Sequence, residues 1–288
     1  MGAGRRAGAT GTAQALAWLV VAATATLAAC GGNGSDDTSG RLAVADVQDV
    51  EATAAQKGPV TSATLARSAG GPDGLRYEVR VIPTPGVILG EIRGGAPFDT
   101  SVVPSRDSTV CRPYTETIVP SRDGGVGQAI AWLVGVPAGP RDNASRRVHL
   151  TLDGCRLSPR VQRVAAGATV LVHGNDAMMS RLQIVPLGER TSRSTILLTD
   201  AGQVVPSDEA TREPALLEVR DDLHPWVRAF IAVAPHPFVA VTDADGDFRF
   251  DGVPPGRYTL VVWHERLGTQ RKTVKVEGGV QVRVRVEL

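Results

Sequence analysis

The stretch Val280-Gln281-Val282-Arg283-Val284-Arg285-Val286 decides the fold class of this chain. Every second residue is a valine, and the residues between the valines are polar. This period of two places all the valines on one face of an extended strand and the polar side chains on the other face. β-Branched valines also pack well on a pleated, half-buried surface. The stretch therefore predicts a β-strand with one exposed face.

Similar short runs, rich in β-branched residues, occur along the chain after residue 75. They are separated by Gly, Pro, Asp and Asn, which are residue types that favour turns. The runs lie at residues 77–81, 129–134, 148–152, 170–172 and 258–263. Apolar residues do not recur at helical spacing over three turns in this region. We therefore expect an all-β protein built from one or two antiparallel sandwiches.

The C-terminal segment contains a turn motif followed by a strand entry. Residues 242–248 (TDADGDF) supply Asp and Gly for a turn, and residues 253–258 (VPPGRY) set an extended entry into an aromatic strand. Together these motifs resemble the carboxypeptidase regulatory-like domain, a small transthyretin-like β-sandwich. The resemblance implies such a domain over residues 234–288. In peptidases that carry it, this domain has no catalytic residues, so the resemblance implies no enzymatic activity.

The loop Glu218-Val219-Arg220-Asp221-Asp222-Leu223-His224-Pro225-Trp226-Val227 is similar to the copper-ligand loop of the cupredoxins. In that family the loop supplies Cys, His and Met to a type 1 copper site, which a second His completes. Here Asp221 stands at the Cys position and Val227 at the Met position, whereas His224 keeps the His position. Counting from the turn at residues 174–176 places Ser180 at the position of the second His. The resemblance implies a cupredoxin-like β-sandwich whose copper site is vestigial.

His224 has two interpretations. In the first, it is a packed or surface histidine that is hydrogen-bonded to a backbone carbonyl. In the second, it joins Asp221 in a harder nitrogen and oxygen site for zinc or non-blue copper. That site would be completed by His173, His236 or His264, and its ligands would have to converge from separate loops. We expect no cofactor, with copper or zinc as the alternative.

Three cysteines are present, Cys30, Cys111 and Cys155. If Cys30 carries a lipid, the other two cysteines are an even pair, and such a pair usually forms a disulfide in an oxidising compartment. A disulfide between Cys111 and Cys155 would close a loop of about 44 residues and stabilise the fold by roughly 3 to 4 kcal/mol. We therefore expect residues 76–233 to fold together as the cupredoxin-like region.

The N-terminus has the features of a bacterial lipoprotein signal peptide. Arg5 and Arg6 form a basic head, residues 13–29 are apolar and uncharged, and Leu27-Ala28-Ala29-Cys30 has the form of a lipobox. The apolar run falls short of the roughly 20 strongly apolar residues of a membrane span. We expect residues 1–29 to be removed and Cys30 to carry the lipid. Residues 30–75, which are rich in small and polar residues, predict a flexible tether.

Composition and motifs exclude several function classes. The formal net charge is +1, so nothing in the charge balance favours nucleic acid as a partner. The chain has no nucleophile elbow, zinc-protease motif, phosphate-binding loop or dinucleotide fingerprint. The acidic run at residues 243–247 lacks the Glu that closes a calcium loop, because Pro254 stands there, so a β-hairpin turn is expected. We therefore expect a protein that is not an enzyme.

Two functions follow from these features. The first is a non-catalytic, lipid-anchored protein of the bacterial cell envelope that acts as a binding or scaffolding module. It would face the periplasm or lie at the outer membrane or cell surface, bound to the membrane through Cys30, with a protein or carbohydrate as its ligand. The alternative is a periplasmic metal-binding or electron-transfer protein with an altered site of His and Asp residues.

Overall fold

The computed structural model describes Leu65 and residues 76–288, and residues 76–288 are built from strands joined by turns and irregular segments. This confirms the predicted all-β class. The strands, in chain order, are β1 (Glu78–Val79), β2 (Gly86–Arg93), β3 (Phe98–Val102), β4 (Tyr114–Val119), β5 (Ile130–Val134), β6 (Ala138–Gly139), β7 (Arg147–Asp153), β8 (Arg156–Ser158), β9 (Val161–Ala165), β10 (Thr169–Gly174), β11 (Ser180–Pro186), β12 (Ser194–Leu198), β13 (Gln203–Ser207), β14 (Ala215–Asp221), β15 (Arg228–Ala234), β16 (Val239–Val241), β17 (Asp247–Val253), β18 (Gly256–His264), β19 (Gly268–Val276) and β20 (Gln281–Glu287).

Strands β7 to β15 form what we call the inserted sandwich. One of its sheets has the order β13-β10-β7-β8, and the other has the order β12-β11-β14-β15-β9. In β10 the residues alternate between buried and partly exposed, as the period of two requires for a strand with one face on a core. Buried aliphatic side chains of both sheets, such as Leu150, Val170, Leu182 and Ile184, meet between them.

Strands β2, β5 and β16 to β20 form a second sandwich, which we call the flanking sandwich. Its sheets have the orders β16-β5-β18-β19 and β17-β2-β20. Its core contains Ile88, Leu133, Phe238, Phe250 and other buried residues. The predicted strand at residues 280–286 corresponds to β20, where Val284 and Val286 are buried and the residues between them are exposed.

The strand pairing differs from the domain boundaries predicted at residues 76, 233 and 234. β5 lies between β16 and β18, and β2 lies between β17 and β20, so strands from residues 86–134 occupy the middle of both sheets of the flanking sandwich. Without them, residues 234–288 would leave the inner edges of both sheets unpaired. The flanking sandwich is therefore discontinuous in sequence, and the inserted sandwich lies between its two parts.

A glycine in β2 shows how closely these distant parts pack. A Cβ atom built on Gly90 would lie 1.9 Å from the ring of Phe248 in β17. β2 and β17 are antiparallel, and Gly90 is directly opposite Phe248. The aromatic ring therefore takes the volume that any side chain at residue 90 would need.

A third apolar cluster, which we call the seam, lies between the two sandwiches. The flanking sandwich contributes Ile130, Trp132, Val239, Val261 and Trp263, and the inserted sandwich contributes Val161, Leu216, Phe230, Ala232 and Ala234. The rings of Phe230 and Trp263 meet at 5.1 Å in an edge-on arrangement. β15 after Arg228 and the second half of β18 are accordingly buried on both faces, which explains why residues 229–234 and 260–263 are continuously apolar instead of alternating.

Ion pairs accompany the apolar seam. Arg160, between β8 and β9, donates to both carboxylate oxygens of Glu265 at 2.6 and 2.8 Å, and lies 3.6 Å from Glu116. Arg163 of β9 pairs with Asp142, and all five of these side chains are largely buried. Burial raises the pKa of Glu116, while the positive charge of Arg160 opposes that effect. The inserted and flanking sandwiches are therefore joined by packing and by charge.

The predictions for the N-terminal segment fall outside the described residues, apart from one position. The signal peptide at residues 1–29 and Cys30 are not described, and neither is the tether except for Leu65. Leu65 is fully buried in the seam. Burial there removes its apolar side chain from water, which is favourable. Among the described residues, no helix has the length and apolar character needed to cross a bilayer.

Candidate functional site

The four positions predicted from the copper-ligand loop lie at one end of the inserted sandwich. Ser180 is the first residue of β11, and Asp221 is the last residue of β14. These strands are antiparallel neighbours, with Leu182 opposite Asp221. His224 and Val227 follow in the loop that connects β14 to β15. The fold therefore brings the four positions to the same end of the same sheet.

Asp221 organises this loop. Its side chain is fully buried, and its Oδ1 atom accepts hydrogen bonds from the backbone N–H groups of Arg181 at 3.2 Å and Leu223 at 2.8 Å. The loop closes further through the N–H of Val227, which donates to the carbonyl of His224 at 2.9 Å. A carboxylate that accepts backbone hydrogen bonds is satisfied in spite of its burial.

The imidazole of His224 lies between two carboxylates. Its Nδ1 atom is 2.8 Å from Oδ2 of Asp221, and its Nε2 atom is 2.8 Å from Oδ2 of Asp107. His224 is 1% exposed, and its ring packs against the edge of Trp226 with a centroid separation of 5.3 Å. Of the two interpretations made from the sequence, the packed histidine is the closer one, although its acceptors are carboxylates instead of a backbone carbonyl.

Asp107 was not predicted as part of this site. It lies in the loop between β3 and β4, has a positive φ of 50°, and its carbonyl accepts from the N–H groups of Val110 and Cys111. The sequence does carry a signal for this turn. Val-Pro-Ser-Arg-Asp occurs at residues 103–107 and again at 119–123, and Asp123 also has a φ of 50°. The same turn sequence therefore follows each of the neighbouring strands β3 and β4, but only the aspartate of the first turn, Asp107, contacts His224.

The predicted disulfide is present and explains how Asp107 is held. Cys111 and Cys155 are bonded, with their Cα atoms 5.4 Å apart. Because Cys155 belongs to the turn between β7 and β8, the bridge fixes the loop of Asp107 against the inserted sandwich. Met178 packs on the bridge, with its sulfur 3.4 Å from Cys111 Sγ and 3.6 Å from Cys155 Sγ, and so fills the core beside it.

The other two positions predicted from the copper-ligand loop offer little to a metal. Val227 is fully buried in the apolar core of the inserted sandwich, and a valine has no donor atom. Ser180 is also fully buried, and its hydroxyl has no hydrogen-bond partner among the residues that the structure describes. A neutral hydroxyl is a weak substitute for the imidazole that the cupredoxin resemblance places there.

The alternative ligand set does not assemble around Asp221 and His224. The Nε2 atom of His236 donates to the carbonyl of Leu133, and that of His264 donates to the carbonyl of Ile118. His173 instead contacts His149. In the described part of the chain, no three His, Cys, Asp or Glu side chains are grouped so that they could hold a metal ion. The alternative in which one of these histidines joins Asp221 and His224 is therefore not found among the described residues, because each of the three has a partner elsewhere in the fold.

The acidic run at residues 243–247 forms a turn, as predicted. Oδ1 of Asp243 accepts the backbone N–H groups of Asp245 and Asp247 at 3.1 and 3.0 Å. The turn connects β16 and β17, which belong to different sheets, so it is a corner between sheets and differs in this respect from the expected hairpin. Burial and the neighbouring acidic groups, chiefly Asp243, raise the pKa of Asp247.

The arrangement around His224 is a carboxylate, imidazole and carboxylate chain. A protonated ring can donate to both carboxylates, whereas a neutral ring has one N–H to donate. Coordination of a metal by either nitrogen would first require that nitrogen to leave its carboxylate. The contacts therefore make His224 a crosslink between the Asp107 loop and the loop after β14.

Comparisons with known proteins found one matching family model and several similar solved structures. Residues 219–288 match the family model of the carboxypeptidase regulatory-like domain, starting ahead of the predicted residue 234. The chain is similar to a purple cupredoxin from Nitrosopumilus maritimus, with 13% identity over 30% of this chain and 99% of that chain and a TM-score of 0.25.

Two further solved structures are similar to parts of the chain. A copper-containing nitrite reductase from Thermus scotoductus shares 15% identity over 35% of this chain and 25% of that chain, with a TM-score of 0.26. A point mutant of amicyanin in its Cu(I) form shares 13% identity over 36% of this chain and 97% of that chain, with a TM-score of 0.26. No curated protein sequence matches significantly.

Proposed function

We propose that this protein is a non-catalytic, lipid-anchored protein of the bacterial cell envelope whose joined β-sandwiches act as a binding or scaffolding module. The observation that carries the proposal is the environment of His224. Both of its ring nitrogens face carboxylates at 2.8 Å, so the one imidazole kept in the ligand loop stabilises the loop. This supports a structural role at the position where cupredoxins carry their chemistry.

The seam supports the scaffolding part of the proposal. Ten residues of the two sandwiches and Leu65 share one apolar cluster, and Arg160 and Glu265 pair across the same junction. A module that is joined in this way presents the loops of both sandwiches in a fixed relation. The ligand would be a protein or a carbohydrate recognised by such a rigid surface.

The anchoring part rests on the sequence of the lipobox. Cys30 follows Leu27-Ala28-Ala29, and alkylation of its thiol would hold the module at the membrane. We expect Cys30→Ala to remove the lipid and to shift the protein from the detergent phase to the aqueous phase in a phase-partition assay. A matched control is Cys111→Ala with Cys155→Ala, which leaves Cys30 intact and should still partition into detergent. Equal partition of the Cys30→Ala variant and the unchanged chain would overturn the lipoprotein proposal.

The non-catalytic part is tested with copper. A type 1 site owes its intense visible absorption to a Cys thiolate, and Cys111 and Cys155 are both consumed by the disulfide. We expect the chain loaded with Cu(II) and desalted to show no thiolate-to-copper band. We also expect His224→Gln to leave copper retention unchanged. An intense band that is lost in His224→Gln would refute the structural role.

One observation favours the alternative function. Asp221 and Asp107 each place a carboxylate oxygen 2.8 Å from a ring nitrogen of His224, so oxygen and nitrogen donors of the kind that a harder cation prefers are present, and a cation would have to displace these hydrogen bonds. In that case, the unchanged chain would bind one equivalent of Zn(II) or Cu(II) at this loop, and His224→Gln and Asp221→Asn would both lose that equivalent. The two functions therefore predict opposite results for the same pair of variants.

A further inference from the structure

A pair of histidines lies on the outer face of the inserted sandwich, away from its core. His149 belongs to β7 and His173 to β10, which are parallel neighbours. In their register Leu171 is opposite His149, and His173 is opposite Thr151, so the two histidines are diagonal neighbours on one face. Their Nδ1 and Nε2 atoms are 2.7 Å apart, and their ring centroids are 5.0 Å apart.

This pair differs from the other three histidines of the chain. His224, His236 and His264 are each 1% exposed, and their rings bond to carboxylates or backbone carbonyls of the protein. His149 is exposed and His173 is partly exposed, and each is the other's hydrogen-bond partner. The two imidazoles therefore bring nitrogen atoms together where solvent and dissolved ions can reach them.

The separation of the two nitrogens fits a shared metal ion. Imidazole nitrogens bind zinc at about 2.0 to 2.1 Å, and copper and nickel are also bound well by imidazole. Two ligands at adjacent corners of a square then have nitrogens about 2.9 Å apart, and at a tetrahedral angle about 3.4 Å apart. From 2.7 Å, a small opening of the side chains reaches the first geometry, with no movement of the strands.

The protonation of the pair also allows binding. In the hydrogen bond between two neutral imidazoles, one nitrogen donates its hydrogen and the other accepts. When a cation binds, the donating ring moves this hydrogen to its other nitrogen, and both lone pairs point at the cation. Neutral rings lose no proton in this step, and water occupies the remaining coordination positions.

We propose that His149 and His173 form a surface site for a divalent transition-metal cation. Cu(II) is the preferred ion, because affinity for nitrogen sites rises along the first row to copper, and Zn(II) and Ni(II) bind more weakly. The open positions allow a ligand from another molecule to complete the coordination. This site is separate from the His224 loop and does not depend on the function proposed above.

The test is a titration of the full chain, purified without a polyhistidine tag, with a Cu(II) salt in a buffer that does not coordinate metals. Electron paramagnetic resonance is expected to show one Cu(II) per chain with two equatorial imidazole nitrogens. His149→Gln and His173→Gln are each expected to weaken binding at least tenfold. His224→Gln is the matched control and is expected to bind as the unchanged chain does.

A second measurement locates the site without relying on affinity. Zn(II) should protect His149 and His173 from modification by diethyl pyrocarbonate, as read by peptide mass spectrometry. Far-UV circular dichroism checks that all the variants fold, including His224→Gln at its buried position, whereas His149 is exposed and His173 is partly exposed. Equal Cu(II) affinity of the unchanged chain and the His149→Gln, His173→Gln double variant would overturn the proposal, as would unprotected modification in saturating Zn(II).

Discussion

Replacement of Asp221 should destabilise the protein far more than replacement of Asp107, although both contact His224. Asp221→Ala removes the acceptor of the Nδ1 group of His224 and of the N–H groups of Arg181 and Leu223. A buried donor without a partner costs about 1 to 3 kcal/mol. With the longer bond to Arg181 contributing least, we expect the free energy of unfolding to fall by about 3 to 5 kcal/mol.

Asp107→Ala removes one acceptor only, at Nε2 of His224. The side chain of Asp107 is 49% exposed, so water can replace its carboxylate. The expected loss is therefore about 0.5 to 1.5 kcal/mol. A matched control is Asp222→Ala, since Asp222 is the neighbour of Asp221 but pairs on the surface with Arg181 and Gln183. Its removal should change stability by about 0.5 kcal/mol or less.

The assay is urea unfolding of the disulfide-intact chain, followed by far-UV circular dichroism and by tryptophan fluorescence. Trp226 packs against His224, so the fluorescence includes a contribution from this loop, together with those of Trp132 and Trp263 in the seam. Equal slopes of the free energy against urea would show that the variants differ in stability alone. A loss below about 1 kcal/mol for Asp221→Ala, or equal losses for Asp221→Ala and Asp222→Ala, would refute the structural role of the buried carboxylate.

Three further predictions concern the flanking sandwich and the seam. Gly90→Ala should lower stability by about 2 to 3 kcal/mol, because its Cβ would meet the ring of Phe248, and combining it with Phe248→Leu should recover at least about 1 kcal/mol in a double-mutant cycle. Additive effects would contradict the packing of β2 on β17. Arg160→Met should cost about 2 to 4 kcal/mol by leaving Glu265 buried without its partner, measured by the same urea unfolding, and Glu265→Leu in the same chain should restore part of it. Burial lowers the pKa of His264, so the neutral ring stabilises the fold above the unfolded pKa near 6.5, and this contribution is lost as pH falls below that value. The stability difference between the unchanged chain and His264→Gln should therefore shrink from pH 7 to pH 5, and a constant difference would count against the neutral ring.

Local patterns in the sequence predicted the features that depend on neighbouring residues. The alternation in β20, the turn at residues 243–247 and the position of His224 in a loop are all local. The disulfide could also be predicted from the sequence, since with Cys30 set aside only Cys111 and Cys155 remain to pair.

The insertion of one sandwich into the other could not be predicted from local sequence patterns. β2 pairs with β20 in parallel, with Val87 opposite Gln281. The sequence of neither strand identifies the other as its partner. The entropy of closing a loop grows only slowly with its length, so the chain can join strands this far apart. One indirect signal was present. Residues 229–234 of β15 and 260–263 of β18 are apolar without alternation, which indicates burial on both faces and hence a second layer against each sheet.

The same limit explains why Asp107 and the histidine pair escaped prediction. His149 and His173 share a face only because β7 and β10 are neighbours in register, and Asp107 reaches His224 only through a loop held by the disulfide. Each contact depends on tertiary pairing, whereas the residues themselves are ordinary members of a strand or a turn.

If residue 221 is the Cys position of a cupredoxin loop, as the sequence resemblance implies, an aspartate there is a physically coherent replacement for a thiolate. Both are anions that can orient the imidazole of His224, but a carboxylate also accepts backbone hydrogen bonds, as Asp221 does from Arg181 and Leu223. In a cupredoxin the metal connects the ligand loop to the rest of the site, whereas here hydrogen bonds from a buried carboxylate and from Asp107 make that connection. The loop can therefore keep its shape through its own contacts.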